Sequence, residues 1–192
     1  MRVIAVASVL LASSVHAAPC PAGKALRELA STAFPGEDVA GASCRLVRTA
    51  DGARWLIEVS TRHGLEVALG ARGRVAWSCC GYTPGTPGAS LLHVDIADLD
   101  GDGRDELIAT VAHEGHERYR DEQLYVHAAS DPLVLYERGS IELARSAPGQ
   151  AGCHSRWRIV RAPHGTHHLA IIGGCADAGR ELAWRDGALV ES

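Results

Sequence analysis

The sequence predicts an all-β protein with one short N-terminal helix. Two observations support this fold class. Short apolar segments rich in Val, Leu, Ile and Trp are separated by turn dipeptides such as Asp51-Gly52 and Asp186-Gly187, a pattern typical of antiparallel hairpins. Apolar residues recur at helical spacing in one segment after the first 17 residues, which covers residues 21–34.

The first 17 residues have the features of a secretory signal peptide. Met1-Arg2 supplies a basic start, residues 3–12 are apolar, and small residues precede a cleavage point after Ala17. The apolar run is too short to span a bilayer, so we expect no membrane insertion. A buried N-terminal strand or helix is the alternative. The mature protein is expected to be secreted or periplasmic.

A short helical segment is predicted in residues 18–40. Leu26, Leu29, Ala30 and Ala33 are spaced as on one face of a helix, and Pro35-Gly36 ends it. Residues 41–192 then form a single β-rich domain.

The strands of this domain fall into three groups, each typical of an antiparallel meander. The first group is predicted at residues 45–48, 55–59, 65–69 and 75–77, the second at 91–96, 106–112, 123–128 and 133–137, and the third at 157–160, 168–172, 181–184 and 189–191. Such groups are similar to the blades of a β-propeller. A closed propeller needs at least four blades, so a partial or truncated propeller, or a sandwich of meanders, is expected.

All six cysteines follow the predicted cleavage site, and their even number indicates disulfides formed in an oxidising compartment. We expect the local pairs Cys20–Cys44 and Cys153–Cys175. The adjacent residues Cys79-Cys80 either bridge each other or pair elsewhere. A zinc site is the alternative, but the sequence has no Cys-x-x-Cys pair.

The charge balance is acidic. The chain has 19 basic and 23 acidic side chains, and removal of the signal peptide takes away only Arg2, which leaves a net charge of −5. This argues against nucleic acid or an anionic membrane as the principal partner.

Residues 98–106 form an acidic loop with the sequence Asp-Leu-Asp-Gly-Asp-Gly-Arg-Asp-Glu. Calcium takes six to eight oxygen ligands, and Asp98, Asp100 and Asp102 at alternate positions can direct three carboxylates to one ion. Gly103 permits the tight turn. The segment from Asp95 to Glu106 carries the whole net charge of the mature chain, and such carboxylates repel one another unless a cation intervenes. A solvated acidic turn is the alternative.

An EF-hand is excluded, because its twelfth position would be Ala109 and the following residues favour a strand. The segment 94–108 instead resembles the FG-GAP and VCBS repeats of integrin-like β-propellers. The resemblance implies that Ca²⁺ is bound in a loop between two strands of a blade. The ligands implied are the side chains of Asp98, Asp100, Asp102 and Glu106 and the carbonyl of Arg104.

No catalytic residue is predicted. His113 and His116 do not have the His-Glu-x-x-His spacing of zinc proteases, and a polar hairpin is the preferred interpretation. His164, His167 and His168 are expected to be surface residues around a hairpin. With His154 they would form a transition-metal patch only if folding brought them together.

The preferred hypothesis is therefore an exported, non-enzymatic calcium-binding module with an unidentified protein or cell-envelope partner. Because the predicted architecture is similar to that of small periplasmic inhibitors of cell-wall lysozymes, an inhibitor or immunity protein is one alternative. A metal-dependent hydrolase that uses His113 and His116 is the other.

Overall fold

A computed structural model describes residues 19–61, 64–71, 74–79, 88–114, 120–130, 140–146, 149, 151–162 and 166–192. The predicted signal peptide lies outside these ranges. Within them, no helix has the length and apolar character needed to cross a bilayer.

The prediction of an all-β fold with one short helix is confirmed. The elements are α1 (Gly23–Ala33), β1 (Ser43–Thr49), β2 (Gly52–Thr61), β3 (Gly64–Ala71), β4 (Arg74–Cys79), β5 (Gly88–Ala97), β6 (Glu106–Glu114), β7 (Arg120–Ala128), β8 (Ile141–Ser146), β9 (Cys153–Arg161), β10 (His167–Gly173), β11 (Glu181–Arg185) and β12 (Ala188–Glu191).

The first four strands form an antiparallel sheet in the order β1-β2-β3-β4, as the first predicted group requires. The helix α1 packs on one face of this sheet. Ala30 and Phe34, at the end of the helix, are buried against Ile57, Val59 and Ala68. Since side chains alternate along a strand, the neighbouring residues of β2 and β3 face the other way.

That opposite face of the first sheet packs against the second sheet. Leu56 and Leu69 share a core with Leu107, Val111 and Tyr125 of β6 and β7. Both sheets are therefore covered on two faces at this point. This explains why residues 66–70 of β3 and 106–112 of β6 are buried at consecutive positions rather than at alternate ones.

The remaining strands form one eight-stranded antiparallel sheet in the order β12-β11-β10-β9-β8-β7-β6-β5. Its two halves fold toward each other, because Ile108 and Leu124 share a core with Leu169, Ile171 and Leu182. The fold-over begins between β8 and β9, whose ladder has only two residue pairs. Among the described strands, β12 and β5 are the two edges of this sheet, which does not close into a barrel.

The second and third predicted groups are therefore not separate modules, and β8 joins them. This strand was not predicted. The predicted strand at residues 133–137 lies outside the described residues, as does most of the predicted break at 82–88, although β5 begins at Gly88.

Both predicted local disulfides are confirmed. Cys20–Cys44 ties the segment before α1 to β1, with the Cα atoms 5.9 Å apart. Cys153–Cys175 ties the start of β9 to the loop after β10, with a Cα separation of 5.0 Å. Cys79 is also disulfide-bonded, whereas Cys80 lies outside the described residues.

Gly173 provides a test of the packing between β9 and β10. A Cβ atom at this position would lie 2.4 Å from the Cα of Ser155, and the residue has a φ of +149°. We expect Gly173→Ala to lower the free energy of unfolding by about 3 kcal/mol, from overpacking and backbone strain. Chemical denaturation measures the loss.

The adjacent Gly174 is the matched control. A Cβ atom there would meet only the carbonyl oxygen of His154, at 4.0 Å. Gly174→Ala should change the stability by less than about 1 kcal/mol. Equal losses in the two variants would contradict the close approach at Gly173.

Glu66 of β3 makes the stability depend on pH. Its side chain is buried under α1, and burial raises its pKa, with a further contribution from the charge of Glu37 and an opposing hydrogen bond from Thr61. The native state therefore holds this proton more tightly than the unfolded chain. The protein should lose stability as the pH rises from the ordinary pKa of glutamate through the raised value.

Glu66→Gln cannot ionise, so the variant should gain stability relative to the wild type as the pH increases from about 4 to about 8. Urea unfolding at several pH values measures the difference. Glu28→Gln, at an exposed position of α1, is the control. A constant difference between Glu66→Gln and the wild type at every pH would contradict the argument.

Candidate metal centre

The acidic loop joins β5 to β6. The carboxylates of Asp98, Asp100 and Glu106 each have an oxygen within 4.8 Å of the others. The structure therefore brings together three of the five predicted ligands. Two come from the loop, and Glu106 is the first residue of β6.

Backbone N–H groups hold the loop in shape. Asp98 accepts hydrogen bonds from the N–H of Gly101 at 2.8 Å and of Gly103 at 3.0 Å, and Asp100 accepts one from Asp102 at 3.1 Å. Gly103 has a φ of +85°, a conformation that favours glycine. The loop therefore folds around the side chain of Asp98, and Gly103 makes the tight turn predicted for it.

Glu106 is the buried member of the group, with 3% of its surface exposed. The N–H of Leu99 donates to its carboxylate at 2.8 Å. Burial raises the pKa of Glu106 to about 7, the Leu99 hydrogen bond opposes this shift, and the charges of Asp100, Asp102 and Asp98 add to it. Its negative charge is thus costly in this place unless a cation is near.

The other two predicted ligands differ from these three. The carboxylate of Asp102 accepts a hydrogen bond from the N–H of Arg104 at 2.7 Å and lies 3.4 Å from the Nε of Arg104. It is partly exposed and does not belong to the group of three. The predicted contribution of Arg104 is its carbonyl oxygen, so its side chain remains available to Asp102.

Asp105 attaches the loop to the first sheet. Its carboxylate accepts hydrogen bonds from the backbone N–H of Arg48, at 2.6 Å, and from the Nε of Arg48, at 3.0 Å. The N–H of Asp105 donates to the carbonyl of Arg48 at 2.8 Å, and its own carbonyl accepts from the N–H of Ala129 at 3.0 Å. This residue therefore connects β1, the loop and the end of β7.

Arg48 also contributes charge to the site. One of its guanidinium nitrogens lies 3.7 Å from Asp98, and its pKa is raised chiefly by the hydrogen bond to Asp105. The sequence analysis missed this residue. A charged residue on a strand gives no local signal of a partner 57 positions away.

His167 supports the loop from β10. Its Nδ1 lies 3.0 Å from the carbonyl oxygen of Asp98, and its backbone N–H donates to the carbonyl of Leu99 at 3.2 Å. Since a carbonyl oxygen only accepts, Nδ1 carries the proton in this contact. His167 was predicted to lie on the surface or in a transition-metal patch, and it instead holds the backbone of the acidic loop.

A small cavity of about 180 Å³ borders the site. It is lined by Asp100, Asp102 and Glu106, with Trp184 of β11 among its other walls. This cavity gives a small ion access to the carboxylates of Asp100 and Glu106.

The histidines predicted for a hydrolase do not form a comparable group. His113 has its Nε2 3.0 Å from the hydroxyl oxygen of Tyr125, and burial lowers its pKa, although the charge of Asp121 acts in the opposite direction. His116 lies outside the described residues. Within the described part of the chain, the clusters with metal-ligand distances contain no histidine.

The second cluster with such distances consists of Glu142, Cys153 and Cys175. Its two cysteines form a disulfide, so the oxidised protein has no thiolates to offer to a metal there. The acidic loop is the candidate metal centre.

Comparisons with models of known protein families, with curated proteins and with solved structures found no match to this chain.

The contacts of Asp105 with Arg48 predict a stability effect that is separate from metal binding. Asp105→Asn replaces one accepting oxygen with a donor that faces the N–H groups of Arg48. With a chelator present, we expect a loss of about 2 kcal/mol in the free energy of unfolding. Urea denaturation measures it.

Asp102→Asn is the matched control, because it removes one charge from the same loop at a more exposed position. Under the same conditions it should change the stability by less than about 0.5 kcal/mol. Equal losses in the free energy of unfolding for Asp105→Asn and Asp102→Asn would contradict a specific stabilising contribution from the contact between Asp105 and Arg48.

Proposed function

We propose that this protein is an exported, non-enzymatic binding module whose acidic loop holds a structural Ca²⁺ ion. The observation that carries the proposal is the convergence of Asp98, Asp100 and Glu106, whose carboxylate oxygens lie within 4.8 Å of one another. The resemblance of this segment to FG-GAP and VCBS repeats supports the same assignment.

The chemistry of the donors favours calcium. All three are carboxylates, and Ca²⁺ prefers oxygen ligands in a flexible shell, whereas Mg²⁺ demands a near-ideal octahedron and retains its water. The carboxylate of Asp102 and the carbonyl of Arg104, as implied by the family resemblance, would complete the protein ligands. Arg48 lies 3.7 Å from Asp98, and its single positive charge is shared with Asp105, to which it is hydrogen-bonded.

The position of the loop suggests a structural role for the ion. The loop contacts β1 through Asp105, β10 through His167 and the end of β7 through Ala129. An ion that fixes the loop would therefore stabilise the junction of the two sheets. A ligand that binds only the native state raises the free energy of unfolding by RT ln(1 + c/Kd), where c is the free ligand concentration, so the effect grows with the free calcium concentration.

Export is supported by the disulfides Cys20–Cys44 and Cys153–Cys175, because such bonds persist in oxidising compartments. In this proposal the partner is a protein or another component of the cell envelope, and the calcium loop keeps the β scaffold rigid.

Thermal unfolding of the oxidised protein tests the proposal. Extracellular modules bind calcium with a Kd of about 0.1 to 1 mM, so about 10 mM Ca²⁺ should raise the Tm by about 3 to 10 °C relative to a chelator. Mg²⁺ at the same concentration should give a smaller shift.

Asp100→Ala should abolish most of the calcium-dependent shift, whatever it does to the Tm in chelator. Asp51→Ala removes an exposed aspartate from the turn between β1 and β2 and should retain the full shift. A wild-type Tm that does not respond to calcium, together with no bound metal by elemental analysis, would refute the proposal.

A further inference from the structure

A second feature of the molecule, separate from the acidic loop, is a cleft of about 570 Å³ between the two halves of the large sheet. Strand β8 pairs with β9 only through Ala144–His154 and Arg145–Cys153. Beyond these pairs β9 separates from β8, and one of its faces lies across the cleft from β5, β6 and β7. The volume lies within the range of small-ligand sites in proteins.

The alternation of side chains along β9 determines which of its residues face the cleft. Trp157 pairs with Ile171 of β10, whose side chain belongs to the core between the two halves of the sheet. Residues so paired lie on one face, so Trp157 points inward. Its indole N–H donates to the hydroxyl of Thr110 on β6 at 3.0 Å. Arg156 and Arg158 alternate with Trp157, and their side chains therefore lie on the outer face of β9.

The opposite wall of the cleft carries two carboxylates, one on each side of Thr110. Asp95 of β5 pairs with Ile108, and Glu122 of β7 pairs with Ala112. Ile108 and Ala112 are the next residues on the same face of β6 as Thr110, one toward each end of the strand. The two acids therefore lie diagonally on either side of Thr110 and point to the same face of the sheet.

The strand register sets the distance between these two acids. Their partners on β6 are four residues apart, and β5 and β7 lie on opposite sides of β6. At about 3.3 Å per residue and about 4.8 Å between strands, the Cα atoms of Asp95 and Glu122 are about 16 Å apart. Trp157, held against Thr110, occupies the middle of this diagonal. The cleft thus presents two separated carboxylates with an indole ring between them.

Both carboxylates have basic neighbours but can accept further hydrogen bonds. Asp95 lies 3.6 Å from a guanidinium nitrogen of Arg45 and 3.3 Å from Nε2 of His93, and Glu122 lies 3.3 Å from Arg120. These contacts are longer than charge-assisted hydrogen bonds, which measure about 2.8 Å. Since a carboxylate offers about four lone-pair sites, each acid can also accept from a cationic donor in the cleft.

We propose that this cleft binds a linear aliphatic polyamine in an extended conformation. An extended triamine such as spermidine separates its terminal nitrogens by about 10 Å, and a charge-assisted hydrogen bond adds about 3 Å at each end. This length matches the spacing of Asp95 and Glu122. The methylene groups pack on the apolar side chains of Trp157 and Leu143, and the inner ammonium group lies near the indole ring, which attracts cations.

The test is calorimetric titration of the oxidised protein with spermidine, in about 10 mM calcium so that the acidic loop is in one state. Two comparison ligands separate the contributions of charge and length. Hexaamminecobalt(III) has the same charge in a compact ion, and putrescine is a diamine too short to reach both acids. Spermidine should bind at least about fivefold more tightly than either.

Variants locate the site. Asp95→Asn combined with Glu122→Gln should weaken binding of spermidine by about tenfold or more, because both terminal ammonium groups lose a charged acceptor. Asp51→Asn combined with Glu28→Gln makes the same change in net charge at exposed positions outside the cleft and should change the affinity less than about twofold. Equal losses of affinity in the two double variants would contradict a site in the cleft. Thermal unfolding checks that each variant is folded.

The comparison ligands can also overturn the inference. Equal binding of hexaamminecobalt(III) would indicate attraction by charge alone, and equal binding of putrescine would remove the role of the distance between the acids. No binding of spermidine to the folded wild-type protein would exclude this ligand class.

Asp100→Ala separates the cleft from the acidic loop. This variant should keep the wild-type affinity for spermidine, and a loss of binding would place the polyamine on the loop instead. If calcium left the Tm of the wild type unchanged while spermidine still bound, only the proposed calcium site would be refuted.

Discussion

The contact between Asp105 and Arg48 holds together parts of the fold that no other described backbone pairing connects. In this contact Asp105, at the end of the acidic loop, donates its backbone N–H to the carbonyl of Arg48 in β1. The carboxylate of Asp105 accepts the backbone N–H of Arg48 in return. The carbonyl of Asp105 continues the chain of contacts to Ala129, after β7. The small sheet, the loop and the large sheet are thereby joined at this point, and Arg45 of β1 adds a second connection, to the carbonyl of Val94 in β5.

The contact between Asp105 and Arg48 also determines which acidic side chain of the loop has its charge neutralised. The excess negative charge of the chain lies in the segment around this loop, and the structure places one guanidinium, that of Arg48, against both Asp105 and Asp98. Asp105 is therefore neutralised within the protein, whereas Asp98, in the group with Asp100 and Glu106, lies at the longer distance of 3.7 Å from Arg48. Of the five acids in the loop, Asp105 has a structural partner, Asp98, Asp100 and Glu106 can serve a metal, and Asp102 accepts a hydrogen bond from the N–H of Arg104.

Features that depend on neighbouring residues could be predicted from the sequence, and features that depend on packing could not. The periodicity of residues 21–34 predicted α1 to within two residues at each end. Of the four carboxylates predicted to converge, those of Asp98, Asp100 and Glu106 do so, and that of Asp102 does not. By contrast, β8 was missed although Ile141 and Leu143 alternate with polar residues, because the run is short and borders a loop. The contact with Arg48 and the cleft beside Trp157 could not be predicted, because their residues come from strands distant in sequence.

The order of the strands has a kinetic consequence. In both sheets every strand pairs with the strand next to it in the chain. Each hairpin thus closes a short loop, and the entropy lost in closure grows with the logarithm of loop length. Assembly can therefore advance one hairpin at a time from several starting points. Folding of this β protein should be faster than that of Greek-key sandwiches of the same size, in which the first and last strands must meet before the core forms.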